Sequence, residues 1–123
     1  MALLRPFTRI LRALRLHRIR TAPSARVVRV VAAGEVIASS ARAVELRETG
    51  SPARFYLPRE DVGAELVPSA TTSRCPFKGE ATYWSTPAVT DAFWSYEMPT
   101  AADAQPIAGL LAPDAARMTV ELR

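Results

Sequence analysis

Along residues 26–123 hydrophobic and polar positions alternate with a period of two, as in strands that bury one face. Residues 26–31, Arg-Val-Val-Arg-Val-Val, are rich in β-branched side chains. Ala33-Gly34 then supplies a turn and residues 35–38, Glu-Val-Ile-Ala, a returning strand, so the spacing predicts a hairpin. Val44 and Leu46 alternate with Glu45 and Arg47 until Gly50-Ser51-Pro52 breaks the run. Residues 54–57 form the next strand, which Pro58 stops. Residues 58–66 predict one or two helical turns with Glu60 and Asp61 near the favourable N-terminal end. Further strands are expected at 71–74, 81–85, 92–96 and 118–122, and a second short helix within 103–111 near Pro106. Short strands punctuated by Gly and Pro predict a mainly β chain: a single compact antiparallel domain, sheet-on-sheet or barrel-like, with one or two short helices.

Before residue 26 the period is helical. At about 100° per residue, Leu3, Leu4, Phe7, Ile10, Leu11 and Leu14 fall within an arc of roughly 120°, with Arg5, Arg9 and Arg12 opposite. An amphipathic N-terminal helix is therefore expected to precede the β domain. Thr21-Ala22-Pro23-Ser24 reads as a linker, which divides the chain into a basic extension over 1–25 and a β domain over 26–123. The face of Leu3, Phe7, Ile10 and Leu14 would suit an anionic membrane surface or a protein partner, making residues 1–20 a peripheral adaptor. Arginines recur every three or four residues and leave no continuous apolar run for a secretory signal, although the acid-free, Arg-rich character imitates an organelle transit peptide.

The chain is 123 residues long, enough for one core, and its 49% hydrophobic and 23% charged content fits a globular protein. No stretch approaches the ~20 uninterrupted apolar residues of a membrane span, so a cytoplasmic protein with at most peripheral membrane association is expected. The net charge of +4 suggests an acidic partner until it is divided along the chain. Residues 1–26 hold seven arginines and no acid; the remainder has nine basic residues against twelve acidic ones, a balance of −3. A basic chain is thus no sign of a basic fold, and nucleic acid is disfavoured as a partner of the domain.

Three segments go beyond generic strand and turn: residues 56–62 (Tyr-Leu-Pro-Arg-Glu-Asp-Val), residues 75–84 (Cys-Pro-Phe-Lys-Gly-Glu-Ala-Thr-Tyr-Trp) and residues 94–96 (Trp-Ser-Tyr). With residues 34–38 upstream and 107–109 downstream in matching order, the chain over about 27–122 resembles the bacterial family catalogued as domain of unknown function 427. One profile library labels that family a nucleotidyltransferase. The resemblance implies a β-tent-like fold, related in architecture to methionine sulfoxide reductase B and the cereblon drug-binding domain, whose members commonly hold zinc through two Cys-x-x-Cys pairs. This chain has one cysteine, Cys75, and one histidine, His17, in the expected extension, too few for such a site. No metal and no cofactor are implied. Glu97-Met98-Pro99 also departs from the proline-rich continuation usual in the family.

Nucleotidyl transfer normally needs paired carboxylates for Mg²⁺ and a Gly-rich or basic phosphate cradle, and neither pattern is present. A thiol reaction would use Cys75, with Lys78 three residues on to favour the thiolate, but the expected domain holds no histidine base and no second cysteine. Phosphoryl transfer and Cys75/Lys78 chemistry are therefore alternatives to binding. Tyr56, Tyr83, Trp84, Trp94 and Tyr96, five of the nine aromatic residues, all lie within the three distinctive segments. Aromatic walls with a few charges suit non-catalytic binding of a small anionic or nucleotide-like ligand, and Tyr56, Arg59, Asp61, Cys75, Lys78, Trp84 and Trp94 are the candidate ligand-binding residues. Adjacent strand residues face opposite ways, so Tyr83 and Trp84 are not expected to share a pocket. The competing expectation is that these aromatics fill the core while Arg59 pairs with Asp61 and Lys78 with Glu80. For Gly79 a positive-φ turn position is expected.

Overall fold

The computed structural model describes residues 16–123. The expected amphipathic helix and its Leu3, Phe7, Ile10 and Leu14 face lie outside them. The β-branched run becomes β2 (Val28–Ala32) and its return becomes β3 (Glu35–Ser40). Ala32 stands opposite Glu35, so Ala33-Gly34 forms a two-residue turn. Both turn residues have positive φ, 50° and 81°, matching the twist that a tight hairpin imposes. β10 (Thr119–Leu122) pairs with the other edge of β2, and together the three strands form one antiparallel sheet.

A second sheet has the order β1-β4-β5, from β1 (Ile19–Pro23), β4 (Val44–Glu48) and β5 (Arg54–Tyr56). Its first strand corrects the expected linker over residues 21–24. Residues 19–23 pair in antiparallel register with all five residues of β4, and Ile19 is buried. Strand period two is present there, Ile19 and Thr21 inward with Arg20 and Ala22 outward, but Ala22 and Pro23 disguise it. The domain therefore begins before residue 26. From residue 16 onward it carries twelve basic and twelve acidic side chains, not an acidic excess.

The third sheet runs β6-β7-β8-β9, from β6 (Val67–Cys75), β7 (Gly79–Ser85), β8 (Phe93–Ser95) and the two-residue β9 (Ala112–Pro113). All strand pairs are antiparallel, and among the described residues no sheet closes into a barrel. Both expected helices are short 3-10 helices, Arg59–Asp61 and Ala102–Ile107. The first follows Pro58, and the second carries Pro106 inside it, which helps to keep it from extending as an α-helix.

Two apolar clusters hold the sheets together. Val28, Val30, Leu57, Phe93 and Leu111 are completely buried in one. The other gathers Ile19, Leu46, Tyr56, Ala81, Tyr96 and Ile107, so that β1, β4, β5, β7 and the second 3-10 helix share a core. Leu57 also exchanges backbone hydrogen bonds with Leu111 at 2.7 and 2.8 Å, tying the end of β5 to the chain just before β9. The candidate site lies beside this second cluster.

Candidate functional site

Period-two geometry assembles the site. On β4, Val44, Leu46 and Glu48 point to the inner face, so an acid continues a row of apolar side chains. Arg54 and Tyr56 of β5 stand opposite Leu46 and Val44 and share that face. From the third sheet, Tyr83 of β7 stands directly opposite Trp94 of β8, and both face the same space. Tyr56, Tyr83, Trp94 and Tyr96 wall a cavity of about 290 Å³. Its charged lining comprises Arg54, Lys78, Glu48 and Asp114, two groups of each sign, with Ser51 as a further polar residue. The volume suits a small polar molecule.

Lys78 enters from the three-residue loop Pro76-Phe77-Lys78 that joins β6 to β7. Cys75 and Gly79 pair across that loop, and Gly79 has φ +97° as expected for a tight connection. The Lys78 side chain is buried; its ammonium donates to Oε1 of Glu48 and lies 5.5 Å from the centre of the Tyr96 ring. Oε2 of the same carboxylate accepts from Nε2 of His17 at 2.8 Å. The His17 ring stacks on Phe77 with centroids 3.5 Å apart and planes 9° from parallel. A buried charge is tolerable only when paired and hydrogen-bonded, and the shared carboxylate meets both conditions for Lys78.

The phenols of Tyr56 and Tyr96 beside this pair stay neutral. Burial, opposed by the hydrogen bond from Trp94, pushes Tyr56 up to about 12. Burial also raises Tyr96, and neighbouring Tyr56 and Cys75 add to the rise. Nε1 of Trp94 donates to the Tyr56 hydroxyl at 3.3 Å, and the Arg54 guanidinium lies 5.8 Å from the centre of the Trp94 ring. The cavity therefore offers ring faces, neutral hydroxyls and fixed charges of both signs.

The seven candidate residues do not share one pocket. Tyr56, Lys78 and Trp94 line this cavity. Cys75 shares the face of the β6–β7 ladder that carries Ser73 and Tyr83, is half-buried in the adjoining apolar cluster, and makes no hydrogen bond through its sulfur among the described residues. Trp84 faces the opposite way from Tyr83, as alternation requires, and donates through Nε1 to Ser95 Oγ at 2.9 Å. Arg59 covers the Trp84 ring at 4.4 Å, donates to the Gly109 carbonyl at 3.2 Å and pairs with Glu97 at 2.9 Å. Asp61 accepts from Arg42 at 2.9 Å and from Ser40 at 2.7 Å, and these bonds, that from Arg42 foremost, hold its carboxyl below the usual range. Arg59, Asp61 and Trp84 thus brace the first 3-10 helix against its surroundings, away from the cavity. The ion pairs differ from the local ones expected: Arg59 joins Glu97, Asp61 joins Arg42 and Lys78 joins Glu48.

Glu48, Arg54, Asp114 and His17 went unassigned in the sequence, and Tyr83 and Tyr96 were named only within the aromatic set. Glu48 had a legible signal, since Val44-x-Leu46-x-Glu48 continues the inward row onto an acid. His17 had none, because its contacts are to Glu48 and Phe77, far along the chain. Its position corrects the expectation that no histidine belongs to the domain. Among the described residues, no three His, Cys, Asp or Glu side chains gather as a metal ion would require, and no helix is long and apolar enough to cross a membrane.

No curated protein matches the chain. The sequence profile of the family described as Domain of unknown function (DUF427) matches residues 20–123, a span that includes most of β1 as well as every cavity-lining side chain. The chain belongs to the DUF427 family.

Proposed function

We propose that this domain binds a small anionic or nucleotide-like molecule in the aromatic cavity, without chemical turnover, and that its three sheets are a variant of the β-tent. The observation that carries the reading is the convergence of four aromatic rings on a buried Lys78–Glu48 pair. Ring faces favour a planar or ring-bearing body, while Lys78 and Arg54 offer charged donors to its anionic part. Binding is favoured over thiol chemistry because Cys75 packs beside the cavity wall rather than lining it, and no hydrogen bond joins its sulfur to a base among the described residues.

Native mass spectrometry of the purified chain tests this reading. Wild-type protein is expected to retain a small-molecule adduct that is weakened at least about tenfold in Lys78→Ala, as loss of a charged hydrogen bond implies. Bare protein from both variants, with no thermal stabilisation by a panel of nucleotides and sugar phosphates, would point to a purely structural role for the aromatic set.

A further inference from the structure

The outer face of the β1–β4 ladder carries a separate charge pattern. Arg20 stands directly opposite Arg47 in the antiparallel register. Arg18, two residues before Arg20 and on the same face, is fixed opposite Thr49: its N–H donates to Thr49 Oγ1 at 2.9 Å, and its carbonyl accepts from the Thr49 N–H at 3.0 Å. All three arginines are exposed and line one depression of about 460 Å³. Like charges directly across a ladder oppose strand pairing, so the arrangement calls for a compensating anion.

Among the described residues one carboxylate on this face reaches Arg47, and none reaches Arg18 or Arg20. Glu45, on the same face, holds Nε of Arg47 at 2.6 Å, which steadies that guanidinium and leaves other N–H groups for a ligand. Glu48 turns its carboxylate inward to Lys78 and His17. Among the described residues no carboxylate lies within 4.0 Å of the Arg18 or Arg20 side chains. Residues 1–15 contain no Asp or Glu and add four more arginines. The outer face of this ladder thus carries three arginines against the single carboxylate of Glu45.

We infer that Arg18, Arg20 and Arg47 form a phosphoryl-binding subsite. Guanidinium forks match the oxygens of a phosphate and can donate two hydrogen bonds each in fixed geometry. Glu48 and Ser51 border both this depression and the aromatic cavity. A phosphorylated molecule whose body occupies the cavity would reach the arginines around the β4–β5 turn; this coupling rests on the binding role proposed above, whereas the arginine subsite stands without it.

Calorimetric titration of the full chain with inorganic tripolyphosphate separates the two. Wild type is expected to bind the probe, which has no ring for the aromatic walls to hold. The double variant Arg20→Gln/Arg47→Gln should bind at least about tenfold more weakly, since two charged hydrogen-bonding groups are lost. Arg26→Gln/Arg74→Gln makes the same change of net charge elsewhere and should retain wild-type affinity. Equal weakening in both double variants, or unchanged affinity in Arg20→Gln/Arg47→Gln, would overturn the assignment. So would retention on phosphatidic acid vesicles through Arg20 and Arg47 without binding of tripolyphosphate, which would identify a membrane-facing patch instead.

Discussion

Glu48→Ala is expected to lower folding stability by about 3–5 kcal/mol, the range seen when one member of a buried ion pair is removed. The variant strands the Lys78 ammonium, only 9% exposed as a side chain, with the Tyr96 ring face as its remaining close partner. It also removes the acceptor of the His17 hydrogen bond and leaves space beside Tyr56. Lys78→Met should be milder, about 1–2 kcal/mol, because a flexible apolar chain replaces the lysine stem and Glu48 keeps its bond to His17. The double variant Glu48→Ala/Lys78→Met should then be more stable than Glu48→Ala alone, since no unpaired ammonium remains. Chemical denaturation measures all three. A Glu48→Ala midpoint close to wild type would show that the pair is solvated and energetically ordinary, and would remove the basis for treating it as the fixed electrostatic centre of the cavity.

Truncation should divide sharply between residue 15 and residue 23. A chain lacking residues 1–15 keeps β1 and the His17 contacts and is expected to melt within a few degrees of the full protein. A chain lacking residues 1–23 loses the whole β1–β4 ladder, uncovers Leu46 and removes Ile19 from its place against the second 3-10 helix. The loss removes burial, a five-residue ladder and the His17 bond together, and is comparable with the ~5–15 kcal/mol that stabilises a whole domain. We expect no cooperative thermal transition for it in calorimetry. A normal transition would return β1 to the status of a dispensable extension. Experiments on membrane or partner binding by the basic N-terminus should therefore end the deletion at residue 15, because removal of β1 is expected to unfold the domain as well.

What was legible in the sequence followed local chemistry. The β2–β3 hairpin could be read from β-branched runs on either side of Ala33-Gly34, and β4 from the alternation of Val44 and Leu46 with charged residues. Alternation also separated Tyr83 from Trp84 correctly, and the positive φ of Gly79 followed from its place in a tight loop. Features that depend on distant pairing were not legible. β1 has one strongly apolar inward residue, Ile19, and becomes a strand because β4 lies beside it. β9 has only two residues and exists through its bond to β8. The same limit governed the site: Arg59 and Lys78 both sat in distinctive segments, but only their partners, Glu97 with Trp84 for one and Glu48 with Tyr96 for the other, separate a brace from a cavity wall. The charge balance changed for the same reason, since Arg18, Arg20 and Arg26 belong to the folded domain once β1 is part of it.

The two tryptophans of the chain report separately on the aromatic cavity and on the face opposite it, and so show whether the cavity is the binding site. Trp94 lines the cavity, whereas Trp84 faces the other way under Arg59. A ¹⁵N-labelled sample displays one indole N–H resonance for each, assignable by Trp84→Phe. Titration with a metabolite extract, followed by individual nucleotides and sugar phosphates, is predicted to shift the Trp94 indole signal saturably while the Trp84 signal stays in place. Movement of Trp84 alone, or an unmoved Trp94 when a compound demonstrably binds, would contradict the account.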